Sequence, residues 1–296
     1  MRRCNILFIA FLITVFFRNS GISNDTVSPP IPVIVTLPVL KDLVEKVGKN
    51  RVTVRTLITG LESEHTYTPK PSDVVAVEKA KLFVKVGLGL EIWVDALIKN
   101  ADNPGLVVVN TSDRVPLLMN RDSSSRGNPH IWLDPDNAKI MAGHIARGLG
   151  QIDSNHSLEY RQNEAALAKD LDRLTKEMLQ KVAILPSSSR KIITHHPAWP
   201  YFAKRFGFIV VDEIQPQVGG ELSAKRLGAL VQLMRREKVR VIVSEPQLNP
   251  KIAQTLAEET GARTVVLSPL PGVLSKTADY FDFTRTNVET LVTALQ

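Results

Sequence analysis

The 296-residue chain has a single cysteine, which lies at position 4. Cys4 stands between two N-terminal arginines and an apolar run of 12 residues at 6–17. This order is typical of a secretory signal peptide, and the polar segment 18–23 predicts cleavage near Ser23. We therefore expect a mature chain without cysteine, which forms no disulfide and offers no thiolate to a metal ion.

Long hydrophobic runs are also missing from the sequence. The apolar run of the signal is shorter than the roughly 20 residues that a membrane-spanning helix needs. No later segment is apolar enough to cross a bilayer. The sequence therefore predicts a free chain in the periplasm, with an uncleaved N-terminal anchor as the alternative.

The chain has no block of basic residues interleaved with aromatic ones, although its formal charge is +7. Removal of the signal takes away three arginines and no acid, which leaves 7 − 3 = +4 for the mature chain. Its lysines and arginines stand beside acids, as at 169–181, which is typical of solvated helix faces. We therefore expect no nucleic-acid partner.

Common enzyme motifs are absent as well. The sequence contains no Walker loop, no HExxH and no GxSxG. Gly87 and Gly89 follow a predicted strand, but the third glycine of a dinucleotide-binding loop would fall at Ile92. A tight turn between a strand and a helix is the better interpretation of this pair.

Short runs rich in valine and isoleucine alternate with helical patterns along the chain. Runs of this kind indicate parallel strands that are covered on both faces. They form two sets of four, at 32–37, 52–58, 82–86 and 106–109, and at 191–194, 208–211, 239–244 and 263–267. The sequence therefore predicts an α/β fold with two lobes, each built on a four-stranded parallel sheet.

A long amphipathic stretch separates the two sets of strands. Its apolar positions recur at helical spacing between about 158 and 182. A helix of about 25 residues is roughly 38 Å long, so we expect one stiff helix to join the lobes and to limit their movement. The predicted organisation is a signal peptide at 1–23, a first lobe at 24–157, a linking helix at 158–184 and a second lobe at 185–296.

Three of the six histidines stand near the places where strands give way to helices. His65 lies in a turn-rich loop beyond the second strand, His196 closely follows the fifth strand, and His130 precedes a helix start. Ligands of open parallel sheets bind beyond the carboxyl ends of the strands. Neutral imidazole is also a common ligand of divalent transition metals. The sequence therefore predicts one composite metal site. Because His195 and His196 are adjacent at a strand end, only one of them should face this site.

Five stretches add a resemblance to this pattern: HTYTPKPSD, VGLGLEIWVDAL, NPHIWLDP, HHPAWPYFAKRFG and SEPQ. In their order and spacing they resemble the zinc- and manganese-specific solute-binding proteins of bacterial ABC importers, over essentially the whole mature chain. The resemblance implies two α/β lobes joined by one long helix, with a metal in the cleft. It further implies a monomer that is not an enzyme, captures a metal in the periplasm and delivers it to a membrane permease.

The resemblance also implies a ligand set. The three histidine ligands of the family correspond to His65, His130 and His196, although proline stands at position 197, where aspartate is common in the family. Asp279, just before a Tyr–Phe pair, corresponds to the fourth ligand of many members. Its spacing is shifted by one residue, so that Asp282 stays open as an alternative.

Two glutamates complete the set of candidate residues. Glu64 immediately precedes the first histidine, as in some zinc-binding members of the family, and is the alternative fourth ligand. Glu245 ends a strand in VIVSEPQ and is expected to orient one of the histidines.

Three imidazoles with one carboxylate favour Zn²⁺ as the transported ligand. Mn²⁺ or Fe²⁺ would be accepted if the carboxylate supplied two oxygens. A secreted zinc-dependent hydrolase is an alternative function, but it would need an open coordination position, which a fourth protein ligand closes. A metal-binding surface adhesin is the other alternative.

Overall fold

The computed structural model describes residues 29–119, 127–215 and 223–296. The predicted signal peptide at 1–23 lies outside these ranges. Within them, no helix combines the length and the apolar character that crossing a bilayer requires.

The first lobe is built on a parallel sheet with the strand order β2-β1-β3-β4. Its strands and helices are β1 (Ile31–Val35), α1 (Pro38–Gly48), β2 (Val52–Thr56), α2 (Pro71–Glu78), β3 (Leu82–Lys85), α3 (Val94–Ala101), β4 (Val107–Asn110) and α4 (Pro135–Ile152). Val33, Ile34 and Val35 of β1 are all buried. Because successive side chains point to opposite faces, this strand is covered on both sides.

The second lobe repeats the arrangement with the strand order β6-β5-β7-β8. Its strands and helices are β5 (Lys191–Thr194), α6 (Pro200–Phe206), β6 (Ile209–Glu213), α7 (Ala224–Glu237), β7 (Val241–Ser244), α8 (Pro250–Thr260), β8 (Arg263–Val266) and α9 (Tyr280–Leu295). The predicted pair of four-stranded parallel sheets is therefore confirmed. In both lobes the first strand of the set lies beside the third. The second and fourth strands lie on opposite sides of this central pair.

The linking helix predicted from the periodicity is present as α5 (Ser157–Ala183), with 27 residues. It packs against α1 and α4 of the first lobe and against α6 and α9 of the second. Its buried stripe includes Leu167, Leu171, Leu174 and Met178. At about 1.5 Å per residue the helix is roughly 40 Å long, which is enough to contact both lobes without a hinge.

One hydrophobic core extends through both lobes. Trp132 from the first part of the chain and Trp199, Phe202 and Tyr280 from the second all belong to it. A smaller core lies under α7 and α8 of the second lobe. The two lobes are therefore joined by shared apolar packing as well as by the helix.

Candidate metal centre

The candidate site lies where the carboxyl ends of the two sheets face each other. Glu64 and His65 lie in the loop that connects β2 to α2, His196 follows β5, and Glu245 follows β7. β5 and β7 are neighbours in the second sheet. After β5 the chain continues to β6 on one side of this pair, and after β7 it continues to β8 on the other side. Ligands of open α/β sheets bind at such a switch point.

Four side chains converge there: Glu64, His65, His130 and His196. One donor atom from each lies within 4.8 Å of all the others. The Nε2 atoms of His130 and His196 are 3.4 Å apart, and Glu64 Oε1 lies 3.5 Å from the Nε2 atom of His130. The same oxygen lies 4.0 Å from the Nε2 atom of His65. The structure therefore brings together the three histidines that the sequence singled out.

The donor atoms are suited to a cation. Glu64, His130 and His196 are 3% exposed or less, and two atoms of the cluster, Glu64 Oε1 and His65 Nε2, are buried without a hydrogen-bond partner. Buried polar atoms are almost always paired in folded proteins. Three imidazole nitrogens and a carboxylate oxygen match the ligand types and number of a tetrahedral zinc site.

In the NPHIWLDP stretch, residues before and after His130 hold this histidine in position. Asn128 Oδ1 accepts hydrogen bonds from the backbone N–H of His130 and from its ring Nδ1, both at 3.0 Å. After a short 3-10 turn, Asp134 caps α4 by accepting from the backbone N–H of Asp136, and Pro135 occupies the first helical turn. The Nε2 atom of His130 is left to face the site.

His196 is oriented by Glu245, as the sequence predicted for one of the histidines. Its Nδ1 donates to Glu245 Oε1 at 2.7 Å. The same carboxylate accepts from Trp199 Nε1 at 3.0 Å and from Gln247 Nε2 at 2.9 Å. Glu245 therefore orients the ring of His196. Pro197 has no side-chain acceptor to offer.

The loop with Glu64 and His65 is held mainly by aromatic side chains. Trp93 Nε1 donates to the backbone carbonyl of Glu64 at 3.2 Å. The indole ring packs edge-on against Tyr67, at 5.0 Å between ring centroids, and the Tyr67 hydroxyl donates to Asp73 Oδ2. None of these contacts involves the side chains of Glu64 and His65.

Burial and neighbouring charges set the protonation states of the cluster. Burial raises the pKa of Glu64, but its close contact with His130 and the charges of the three histidines outweigh this effect and lower the pKa to about 2. Burial lowers the pKa of His65 to about 4, and it also lowers the pKa of His130. For His196 the carboxylate of Glu245 outweighs burial and raises the pKa. At neutral pH, Glu64 is therefore charged and two imidazoles are neutral, which are the forms that bind a metal.

Asp279, predicted as the fourth ligand, does not join this group. Its side chain caps α9 by accepting from the backbone N–H of Asp282 at 2.9 Å, and it pairs with Lys46 of α1 at 2.9 Å. A carboxylate at a helix N-terminus is stabilised by the helix dipole. Asp282 is half-exposed beside Arg285. Glu64 replaces both as the carboxylate that faces the histidines.

The neighbouring His195 is fully buried and lies away from the group, with its Nδ1 3.5 Å from Ser244 Oγ. This position agrees with the expectation that adjacent residues at a strand end face opposite sides. Asn128 and Trp93 help to hold the site in place, and the sequence alone did not indicate either of them. An asparagine two residues before a histidine was visible in NPH, but only the fold shows which atom it contacts.

Comparisons with known proteins show what this chain is similar to. A family model described as ZnuA, the periplasmic component A of a zinc-uptake complex, matches residues 33–294. The high-affinity zinc uptake system protein ZnuA of Brucella abortus (strain 2308) is 27% identical, over 95% of both chains. The manganese-binding lipoprotein MntA of Halalkalibacterium halodurans is also 27% identical, over 94% of this chain and 92% of that protein. A crystal structure of ZnuA is similar with a TM-score of 0.81 and 29% identity, over 90% of this chain and 100% of that chain.

Proposed function

The chain belongs to the ZnuA family of periplasmic zinc-uptake components, and we propose that it captures a divalent transition metal and delivers it to the membrane permease of an ABC importer. Zn²⁺ is the favoured metal, with Mn²⁺ and Fe²⁺ as alternatives. The proposed ligands are the Nε2 atoms of His65, His130 and His196 and a carboxylate oxygen of Glu64. Glu245 orients His196.

The convergence of four buried donor atoms within 4.8 Å is the observation that supports this proposal. Three nitrogens and one oxygen favour Zn²⁺, whereas Mn²⁺ prefers more oxygen ligands. Relatives named for zinc and for manganese both occur in the comparisons, so the choice of metal rests on the chemistry of this donor set.

The alternative of a zinc hydrolase receives no support. The family consists of substrate-binding proteins of importers and not of enzymes. A fourth protein ligand also closes the coordination position that a catalytic zinc keeps open for water. We therefore interpret Glu64 as a ligand and Glu245 as an orienting group.

Location and organisation follow the same proposal. Members of the family are described as periplasmic, which supports export of this chain by the signal at 1–23, with cleavage near Ser23. A monomer with lobes at 24–157 and 185–296, joined by the linking helix 158–184 and without a nucleic-acid partner, stays our prediction for the mature protein.

Calorimetric titration with Zn²⁺ in competition with a chelator tests the proposal. We expect one equivalent per chain, and loss of tight binding in the double variant His65→Ala/His196→Ala. The double variant His144→Ala/His156→Ala, at two more exposed histidines, is the matched control and keeps the affinity. Tight binding that survives the first double change contradicts the proposal. Elemental analysis of protein from its native periplasm then identifies the metal.

A further inference from the structure

The segment around His130 precedes the linking helix in the chain, yet it is bonded to the second lobe. The side chains and backbone of 128–134 make hydrogen bonds to Pro197, Tyr201, Arg205, Pro269 and Tyr280. Two of these bonds are 2.6 Å long, from Asn128 Nδ2 to the carbonyl of Pro197 and from the Tyr280 hydroxyl to the carbonyl of Trp132. His130 is therefore held in place by contacts with the second lobe.

Asn128 connects His130 directly to the backbone beside His196. Its amide nitrogen donates to the carbonyl of Pro197, the residue after His196, so its oxygen must face the Nδ1 atom of His130. Glu245 fixes the Nδ1 atom of His196 in the same way. Both rings thus present Nε2 to the site, at a fixed separation of 3.4 Å.

The other two donors lack such support. Glu64 Oε1 and His65 Nε2 have no hydrogen-bond partner. The side chain of His65 is 25% exposed, against 3% or less for His130 and His196. They lie in an irregular loop at 57–70, where the bond from Trp93 holds the backbone carbonyl of Glu64 and does not hold either side chain.

We propose that the metal binds in two steps. His130 and His196 form a preset pair that takes the ion first, and the loop 57–70 then brings Glu64 and His65 onto it to complete the site. Asn128 is the positioning residue of this pair. The inference rests on the proposed function and adds the order in which the ligands engage. Release runs in reverse, so the loop sets the dissociation rate while the lobes stay packed on their shared core.

Hydrogen exchange of the full chain with and without Zn²⁺ tests the order without any substitution. We expect amides of 59–66 to exchange at least about ten times more slowly when Zn²⁺ is bound. Within 130–134, the amides of His130, Ile131, Leu133 and Asp134 are hydrogen-bonded within the protein, so this segment should be protected in both states. Equal gains in the two segments, or no gain in 59–66, overturn the proposal.

Single substitutions provide a second test, since each removes one imidazole. His65→Ala should leave weak one-to-one binding of Zn²⁺, with a loss of affinity at least about tenfold smaller than that of His130→Ala. Equal losses, or a larger loss for His65→Ala, contradict the preset pair.

Asn128→Ala keeps all four ligands but removes the positioning contact. We expect Zn²⁺ affinity to fall by about 10–100-fold and the amides of 130–134 to gain protection on binding, which they do not in the parent chain. Asn128→Asp, which keeps the acceptor, should restore part of the affinity. An Asn128→Ala variant with parental affinity and exchange overturns the role of Asn128. Absence of Zn²⁺ binding by the parent chain would instead refute the proposed function itself.

Discussion

At the scale of single residues, the deciding difference lies between two carboxylates. Glu64 and Asp279 both stand beside recognisable motifs, so the local sequence offers no physical reason to separate them. The fold separates them because α1 places Lys46 against Asp279, whereas the loop after β2 turns Glu64 towards the histidines. The three histidines were predictable because each follows or precedes an element whose period is clear in the sequence.

Neutralising each of these two carboxylates should affect a different property, metal affinity for Glu64 and stability for Asp279. Glu64→Gln removes a charged ligand and should weaken Zn²⁺ binding by at least about tenfold, or 1.4 kcal/mol. Asp279→Asn should leave the affinity unchanged and lower the free energy of unfolding by about 0.5–1 kcal/mol through weaker capping of α9. Chelator-competition titrations and urea unfolding measure the two effects. Weaker metal binding by Asp279→Asn alone would restore Asp279 as the ligand.

At the scale of elements, the predicted strands and the linking helix were found because their periodicity reflects burial. The strand predicted at 208–211 ends too early, because β6 continues through the polar residues Asp212 and Glu213. A register shift between Ile192 and Ile193 of β5 lets those residues stay paired in the sheet. Loops carry no period, so the conformation of 57–70 and the contacts of Asn128 could not be read from the sequence.

The buried stripe of α5 gives a prediction at this scale. Leu171→Ala removes a fully buried side chain from the linking helix and should destabilise the protein by about 2–5 kcal/mol. Leu179→Ala is the matched control in the same helix, at a position that is 42% exposed, and should change the stability by no more than about 0.5 kcal/mol. Urea unfolding followed by circular dichroism measures both. Equal effects would mean that α5 is not packed between the lobes as described.

At the scale of the whole molecule, the two sheets behave as one packed unit. The shared core and the hydrogen bonds of 128–134 cross the boundary that the sequence predicts between the lobes. Chain order alone suggested two bodies because the linking helix falls between the two sets of strands. Contacts between residues far apart in sequence, such as Trp132 with Pro269, leave no periodic signal and therefore had to come from the structure.

Metal binding by the whole site should release about one proton at pH 6. His65 has a pKa of about 4 and is neutral there, the lowered pKa of His130 favours its neutral form, and the raised pKa of His196 favours its protonated form. Three histidines with ordinary pKa values near 6.5 would release about two protons or more. Affinity should therefore fall as the pH drops through the pKa of His196, by up to about tenfold per unit.

Calorimetry in buffers with different ionisation enthalpies counts the released protons. In Glu245→Gln the pKa of His196 loses the charge that raises it, so the proton release at pH 6 should decrease. A release of about two or more protons by the parent chain would contradict the assigned protonation states.

The most direct test of the central claim is a crystal structure of the Zn²⁺-loaded chain with anomalous data at the zinc edge. We expect one strong peak per chain, about 2.0–2.2 Å from the Nε2 atoms of His65, His130 and His196 and from an oxygen of Glu64. Asp279 should stay paired with Lys46. A peak that lies elsewhere, or that is coordinated by Asp279 in place of Glu64, would contradict the account.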